Sequence, residues 1–135
     1  MQHTGPDDDP SFNPHKTHRG LKRVVMATIH SLDGLRFAFR EESAFRQELL
    51  LVALMAPWAF IFDFSTIERI LLLGTLMLVL IIELLNSGIE AAVDRISFQK
   101  HNLSKRAKDY GSAAVCLSLL LCGATWCFLF IPHLL

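Results

Sequence analysis

Polar and apolar positions divide this chain unevenly. The first 48 residues are polar and charged, and three apolar blocks dominate the remainder. The first block, Leu49–Phe64, reads LLLVALMAPWAFIFDF. It covers about 24 Å as a helix, short for a crossing, although Phe45–Glu48 can extend it into the headgroups. Pro57 can kink it, which a membrane helix tolerates. The second block runs from Ile70 to Val93, and its last third turns amphipathic. The third, Gly111–Pro132, carries no charge and is long enough to cross outright; a plain anchor would look the same. The pattern predicts an all-α membrane protein with three spans, at about 47–64, 68–94 and 110–132.

Ahead of the spans, residues 17–46 mix apolar and basic positions at helical spacing. Leu21, Val24, Val25, Thr28, Ile29 and Leu32 can share one face. Lys22, Arg23, Arg36 and Arg40 can reach lipid phosphates. An amphipathic surface helix is expected over about 17–46, interrupted at Asp33-Gly34. Such a helix can be an anionic-lipid anchor without any chemistry. Residues 1–15 are acidic and proline-containing and are read as a disordered tail, leaving 16–135 as one domain. No apolar signal region opens the chain, so the first span is expected to direct insertion.

Charge adds sidedness. The formal net charge is zero and predicts no nucleic-acid partner. Of the 13 Lys and Arg, all but Arg69 lie before the first span or between the second and third. The excess of basic residues in those segments puts the N-terminus and the 94–110 loop in the cytoplasm, and the 63–69 loop and C-terminus outside. Cys116, Cys122 and Cys127 all fall in the third block without metal-ligand spacing, and are expected to be buried free thiols.

The second block holds the candidate chemistry. Glu83 follows the apolar run ILLLGTLMLVLII, where an acid at membrane depth costs roughly 2.5–3.5 kcal/mol. At 100° per residue from Glu83, Ser87 falls near about 40°, Glu90 near about −20°, Asp94 near about 20° and Asn86 near about −60°. One polar strip therefore leads from membrane depth to the basic loop. Its three carboxylates repel one another and need protonation or a cation, and their oxygens suit Mg2+. Glu41, Glu42 and Glu48 lie at a similar depth beside the first span, and Lys100, Lys105, Arg106 and Lys108 follow the second. A Mg-nucleotide site, an ion or proton path, and structural pairing between helices all fit this pattern. The seven glycines form neither G-x-x-x-x-G-K-[ST] nor G-x-G-x-x-G, so any nucleotide would be held by side chains and metal.

Three strings carry a resemblance: EESAFRQE (Glu41–Glu48), IIELLNSGIEAAVDRI (Ile81–Ile96) and LSKRAKDYGSAAV (Leu103–Val115). Together they resemble the small bacterial integral-membrane diacylglycerol kinases, from about Arg19 to the C-terminus. The resemblance implies a homotrimer in the inner membrane, with composite sites built from neighbouring subunits. It also implies MgATP-dependent phosphorylation of diacylglycerol in phospholipid metabolism. By matching position, Glu83 is similar to the family's general base, and Glu42 and Glu90 to the carboxylates that hold the metal carrying ATP. Lys108 and Asp109 match its nucleotide-contacting pair; Arg23, His30, Gln99, Lys100 and His101 also fall where the family contacts ATP. Asn86 and Asp94 match supporting positions. Arg36, Ala44, Phe45, Arg46, Gln47, Glu48 and Ser112 fall, with Glu83, near the lipid substrate. Two departures concern the nucleotide contacts: His30 stands where the family often has Tyr, and the loop SFQKH (Ser97–His101) differs from the family's versions.

These residue types suit phosphoryl transfer, which depends on positioning and charge neutralisation. Glu83 lies about two turns deeper than Glu90, within reach of a hydroxyl that stays in the bilayer. Partial desolvation improves a carboxylate as a base. A kinase of the same fold acting on undecaprenol, and a small ion-conducting or assembly subunit, are the competing readings; FRQE before the first span favours diacylglycerol.

Overall fold

The computed structural model describes residues 20–96 and 101–133. The expected N-terminal tail, with Gln99 and Lys100, lies outside the described residues. The chain divides into two units, Met1–Arg36 and Phe37–Leu135. Among the described residues all regular structure is helical: α1 (Leu21–Glu41), α2 (Ser43–Met55), α3 (Trp58–Ile61), α4 (Thr66–Ile96), α5 (Asn102–Phe130), then a short 3-10 turn at Ile131–His133.

Gly20 precedes α1 with φ +69, a left-handed conformation that favours glycine. In the first unit, Leu21, Val24, Val25, Ile29 and Leu32 of the predicted apolar face are exposed. The helix runs through Asp33-Gly34, where an interruption was expected. A helical glycine costs only about 1 kcal/mol, and Asp33 pairs with Arg36 one turn on, at 3.7 Å. The break comes instead at Glu42, whose φ −98 and ψ 113 are extended, so the surface helix ends at Glu41 rather than near residue 46.

In the second unit, three helical stretches are long and apolar enough to cross a membrane: Ser43–Ile61, Thr66–Arg95 and Asn102–His133. The first is jointed. Pro57 has no N–H to bond back along the helix, so α2 stops at Met55. The turn is held by short-range bonds, Ala59 N–H to Ala56 O at 3.2 Å and Phe60 N–H to Pro57 O at 3.0 Å. α4 starts on a capping box in which Ser65 N–H donates to Glu68 Oε2 (2.8 Å) and Glu68 N–H to Ser65 Oγ (3.3 Å). At 31 residues it is about 46 Å long. α5 begins at Asn102, capped by His101 Nδ1, which accepts from Leu103 N–H at 3.2 Å. Most of the predicted 94–110 loop is therefore helix. Its Leu, Lys, Arg and Ala are good helix formers, and Lys105–Asp109 and Arg106–Tyr110 pair at i,i+4.

The core lies mainly between α4 and α5. Leu72, Leu76 and Val79 pack with Cys122, Trp126, Ala59 and Phe64. Trp126 Nε1–H donates to Leu72 O at 3.2 Å, an interhelical bond. A smaller cluster, Ala38, Phe45 and Leu80, joins the end of α1 and the start of α2 to α4. Of the cysteines only Cys122 is buried; Cys116 and Cys127 are exposed on the chain's surface. Helical spacing explains this correction: Cys116 and Cys127 lie about 20° apart, whereas Cys122 lies about 120° from Cys116, toward α4.

Candidate active site

The strip on α4 becomes one wall of a cleft of about 240 Å³. Glu83, Asn86 and Glu90 line it from α4, Glu42, Ser43 and Ala44 from the α1–α2 corner, and Ser112 and Val115 from α5. Glu83 is only 3% exposed, while Glu90 is half-buried. The helical register puts the three α4 residues on one side, and the extended backbone of Glu42 brings a third carboxylate to them.

Asn86 Nδ2–H donates to Glu90 Oε1 at 3.3 Å and so orients that carboxylate. Asn86 in turn is seated against α5 at Gly111. A Cβ at residue 111 would collide with Asn86 Oδ1, so glycine permits this approach. Asn86 Oδ1, Ser87 Oγ and Glu48 Oε2 are buried without a hydrogen-bond partner among the described residues. Buried polar atoms are rarely left so outside functional sites. One turn beyond Glu90, Asp94 Oδ1 meets Lys108 Nζ at 2.7 Å, tying α4 to α5.

The remaining candidate positions separate. Asp109 pairs with Lys105 Nζ at 2.6 Å on an exposed face. His101 serves as the α5 cap. Arg23, His30 and Arg36 are exposed on α1 in the first unit. In the FRQE segment, Phe45 is core, Glu48 is buried, Gln47 is exposed, and Arg46 turns back toward the end of α1. The sequence reading missed Ser43, Val115 and the role of Gly111. Ser43 follows Glu42 directly, and the small-residue run GSAA was the available sign of close helix approach.

No group of three or more His, Cys, Asp or Glu among the described residues is arranged to hold a metal ion alone. The donor set is Glu42, Glu83 and Glu90 around one cleft. That suits a hard cation which arrives with its own oxygen ligands, since Mg2+ is commonly held by one or two carboxylates plus phosphate oxygens.

These features define an all-α protein with three potential membrane spans and a carboxylate-lined cleft where its helices meet. Residues 29–130 match the family described as prokaryotic diacylglycerol kinase, and the chain belongs to that family. It is similar to the diacylglycerol kinase of Pseudomonas aeruginosa, 51% identical over 116 residues, covering 86% of this chain and 94% of the relative. The diacylglycerol kinase of Escherichia coli K12 is 47% identical over 117 residues, covering 84% and 93%. That of Haemophilus influenzae is 44% identical over 107 residues, covering 79% and 91%. Membership makes the chain an enzyme, a kinase with transmembrane helices.

Proposed function

We propose that this enzyme transfers the γ-phosphoryl group of ATP to the free hydroxyl of diacylglycerol, giving phosphatidic acid and ADP. The observation that carries the reading is the burial of Glu83 in a cleft shared with Glu42, Asn86 and Glu90, within a chain of this family. Glu83 accepts the hydroxyl proton as that oxygen bonds to the γ-phosphorus and the bond to the ADP oxygen breaks. A nearly enclosed carboxylate at this depth can meet a hydroxyl without drawing the lipid out of the bilayer.

Glu42 and Glu90 hold Mg2+, which when bound neutralises phosphate charge. Asn86 keeps Glu90 oriented through its 3.3 Å hydrogen bond. Lys108 adds a point charge toward the nucleotide, with Asp94 restraining it from α4. The resemblance adds Asp109, Arg23, His30 and residues 99–101 as nucleotide contacts. Ala44, Glu48 and Ser112 border the lipid headgroup, with Gln47 nearby. The enzyme works as a homotrimer with composite sites, as the resemblance to the family implies. It sits in the bacterial inner membrane with its N-terminus and active site cytoplasmic, following the one-sided distribution of Lys and Arg.

The test is a phosphorylation assay with the purified full chain in mixed micelles, comparing diacylglycerol with undecaprenol and titrating Mg2+. Phosphatidic acid formation that requires ATP and Mg2+, with undecaprenol the poorer acceptor, is expected. Preference for undecaprenol would overturn the substrate assignment, and no ATP-dependent product with either lipid would overturn the reaction.

A further inference from the structure

The α1–α2 corner contains a clamp whose effect falls on Glu42. A helix end leaves carbonyls without intrahelical partners. α1 stops at Glu41 with no glycine at its end. Arg46, one turn into α2, supplies what is missing: its Nη1 donates to Phe39 O at 3.1 Å and to Arg40 O at 3.0 Å. The positive charge there also favours the end of α1, where the helix dipole is negative.

Glu42 lies between these attachments. Its N–H donates to Ala38 O at 3.0 Å, and its own carbonyl accepts from Arg46 N–H at 3.4 Å. The same arginine therefore binds Glu42 through its backbone and the preceding turn through its side chain. The corner is further pinned by Ala38 and Phe45, buried together against Leu80. Within it Glu42 is extended, and its side chain lines the cleft with Glu83 and Glu90. Arg46 does not line that cleft.

We propose that Arg46 is a positioning residue for Glu42: its guanidinium fixes the corner that presents this carboxylate to the cleft shared with Glu83 and Glu90. The proposal rests on the reading of Glu42 as a metal-holding carboxylate. It gives Arg46 a different task from contact with the lipid. Residues that orient a metal-holding group commonly change metal affinity about 10- to 100-fold when removed.

The experiment measures Mn2+ binding by electron paramagnetic resonance, using the full chain in micelles with a non-hydrolysable ATP analogue. KM for diacylglycerol is measured alongside. Arg46→Gln is expected to weaken Mn2+ binding about tenfold or more, with KM for the lipid unchanged. Arg46→Lys, which keeps the charge and some donor capacity, is expected to recover part of the loss. The double variant with Glu42→Gln should bind no more weakly than Glu42→Gln alone. Parental Mn2+ affinity in Arg46→Gln, beside weakened affinity in Glu42→Gln, would overturn the clamp and leave the Glu42 reading standing. Parental affinity in Glu42→Gln would overturn that reading itself. A raised lipid KM with unchanged Mn2+ affinity would make Arg46 a lipid contact instead. Should Arg46→Gln fail to assemble, Arg46→Lys decides alone: weakened Mn2+ binding supports the clamp and parental binding overturns it.

Discussion

The α4–α5 pair is built differently at its two ends. Around Trp126 polar groups find partners within the chain: the indole N–H meets Leu72 O, and Arg69 donates to Ala59 O at 2.9 Å and Phe64 O at 3.2 Å. Aromatic rings cluster there, with Phe62 and Phe130 edge-on at 4.8 Å between centroids, and the cavity of about 430 Å³ that they border with Met55, Trp58 and Trp126 is apolar. Around Glu83 the same helices leave a cleft, an Asn86 Oδ1 and a Ser87 Oγ without partners, and three carboxylates facing one space. Packing that satisfies itself serves stability. An arrangement that leaves buried acids and enclosed, unpaired acceptors costs stability, and such costs are commonly carried at functional sites.

The largest expected effect that separates the two ends comes from Glu83→Gln. It keeps volume and removes the proposed base, so turnover should fall by about 10²–10⁴-fold, with assembly and MgATP binding largely intact. Equal activity in the purified variant and parent would remove Glu83 from the chemistry. Glu90→Gln should chiefly weaken MgATP binding, and an unchanged nucleotide affinity would argue against its metal role.

At the opposite end the loss should be one of stability. Trp126→Ala deletes a buried ring and the bond to Leu72 O, and should cost about 3–5 kcal/mol in reversible unfolding. Its folded fraction should keep near-parental KM values for both substrates. A large shift in KM for ATP would mean that the two ends are coupled.

Gly111→Ala probes the cleft end by geometry alone. The added methyl displaces Asn86 and, through it, Glu90. A displacement of about 1 Å can cost about 10²-fold in rate, and the expected signature is a fall in kcat/KM for MgATP larger than any fall in stability. If stability fell with activity unchanged, Gly111 would be a packing residue like those around Trp126.

The contrast between the ends was partly legible in the sequence. The apolar blocks and the 83–94 strip follow directly from helical periodicity, and Glu83, Asn86 and Glu90 of that strip do line one cleft, whereas Ser87 and Asp94 do not. Other features depended on longer-range geometry. Asp33-Gly34 looks like a break, yet one glycine is a small cost to a long helix, while Glu42, with no breaker at its position, leaves the helix in a corner tied by Arg46. The basic 101–110 segment reads as loop by charge but satisfies itself as helix through i,i+4 pairs. Gly111 acquires its meaning only from Asn86 across the helix pair, a contact that no local pattern contains.

The smallest expected effect concerns the Asp94–Lys108 pair, where stability and function can be separated on one contact. The ions meet at 2.7 Å, but their side chains are 45% and 37% exposed. Pairs so open to solvent contribute little to stability, so Asp94→Asn should barely move the unfolding transition. Its purpose is then best sought in Lys108, which Asp94 holds across the gap between α4 and α5. With that restraint removed, KM for ATP should rise by at most about fivefold, while KM for diacylglycerol stays constant. Steady-state kinetics with each substrate varied in turn provides the check. A change confined to the lipid KM would detach Lys108 from the nucleotide and place this contact with the structural pairs of the Trp126 end.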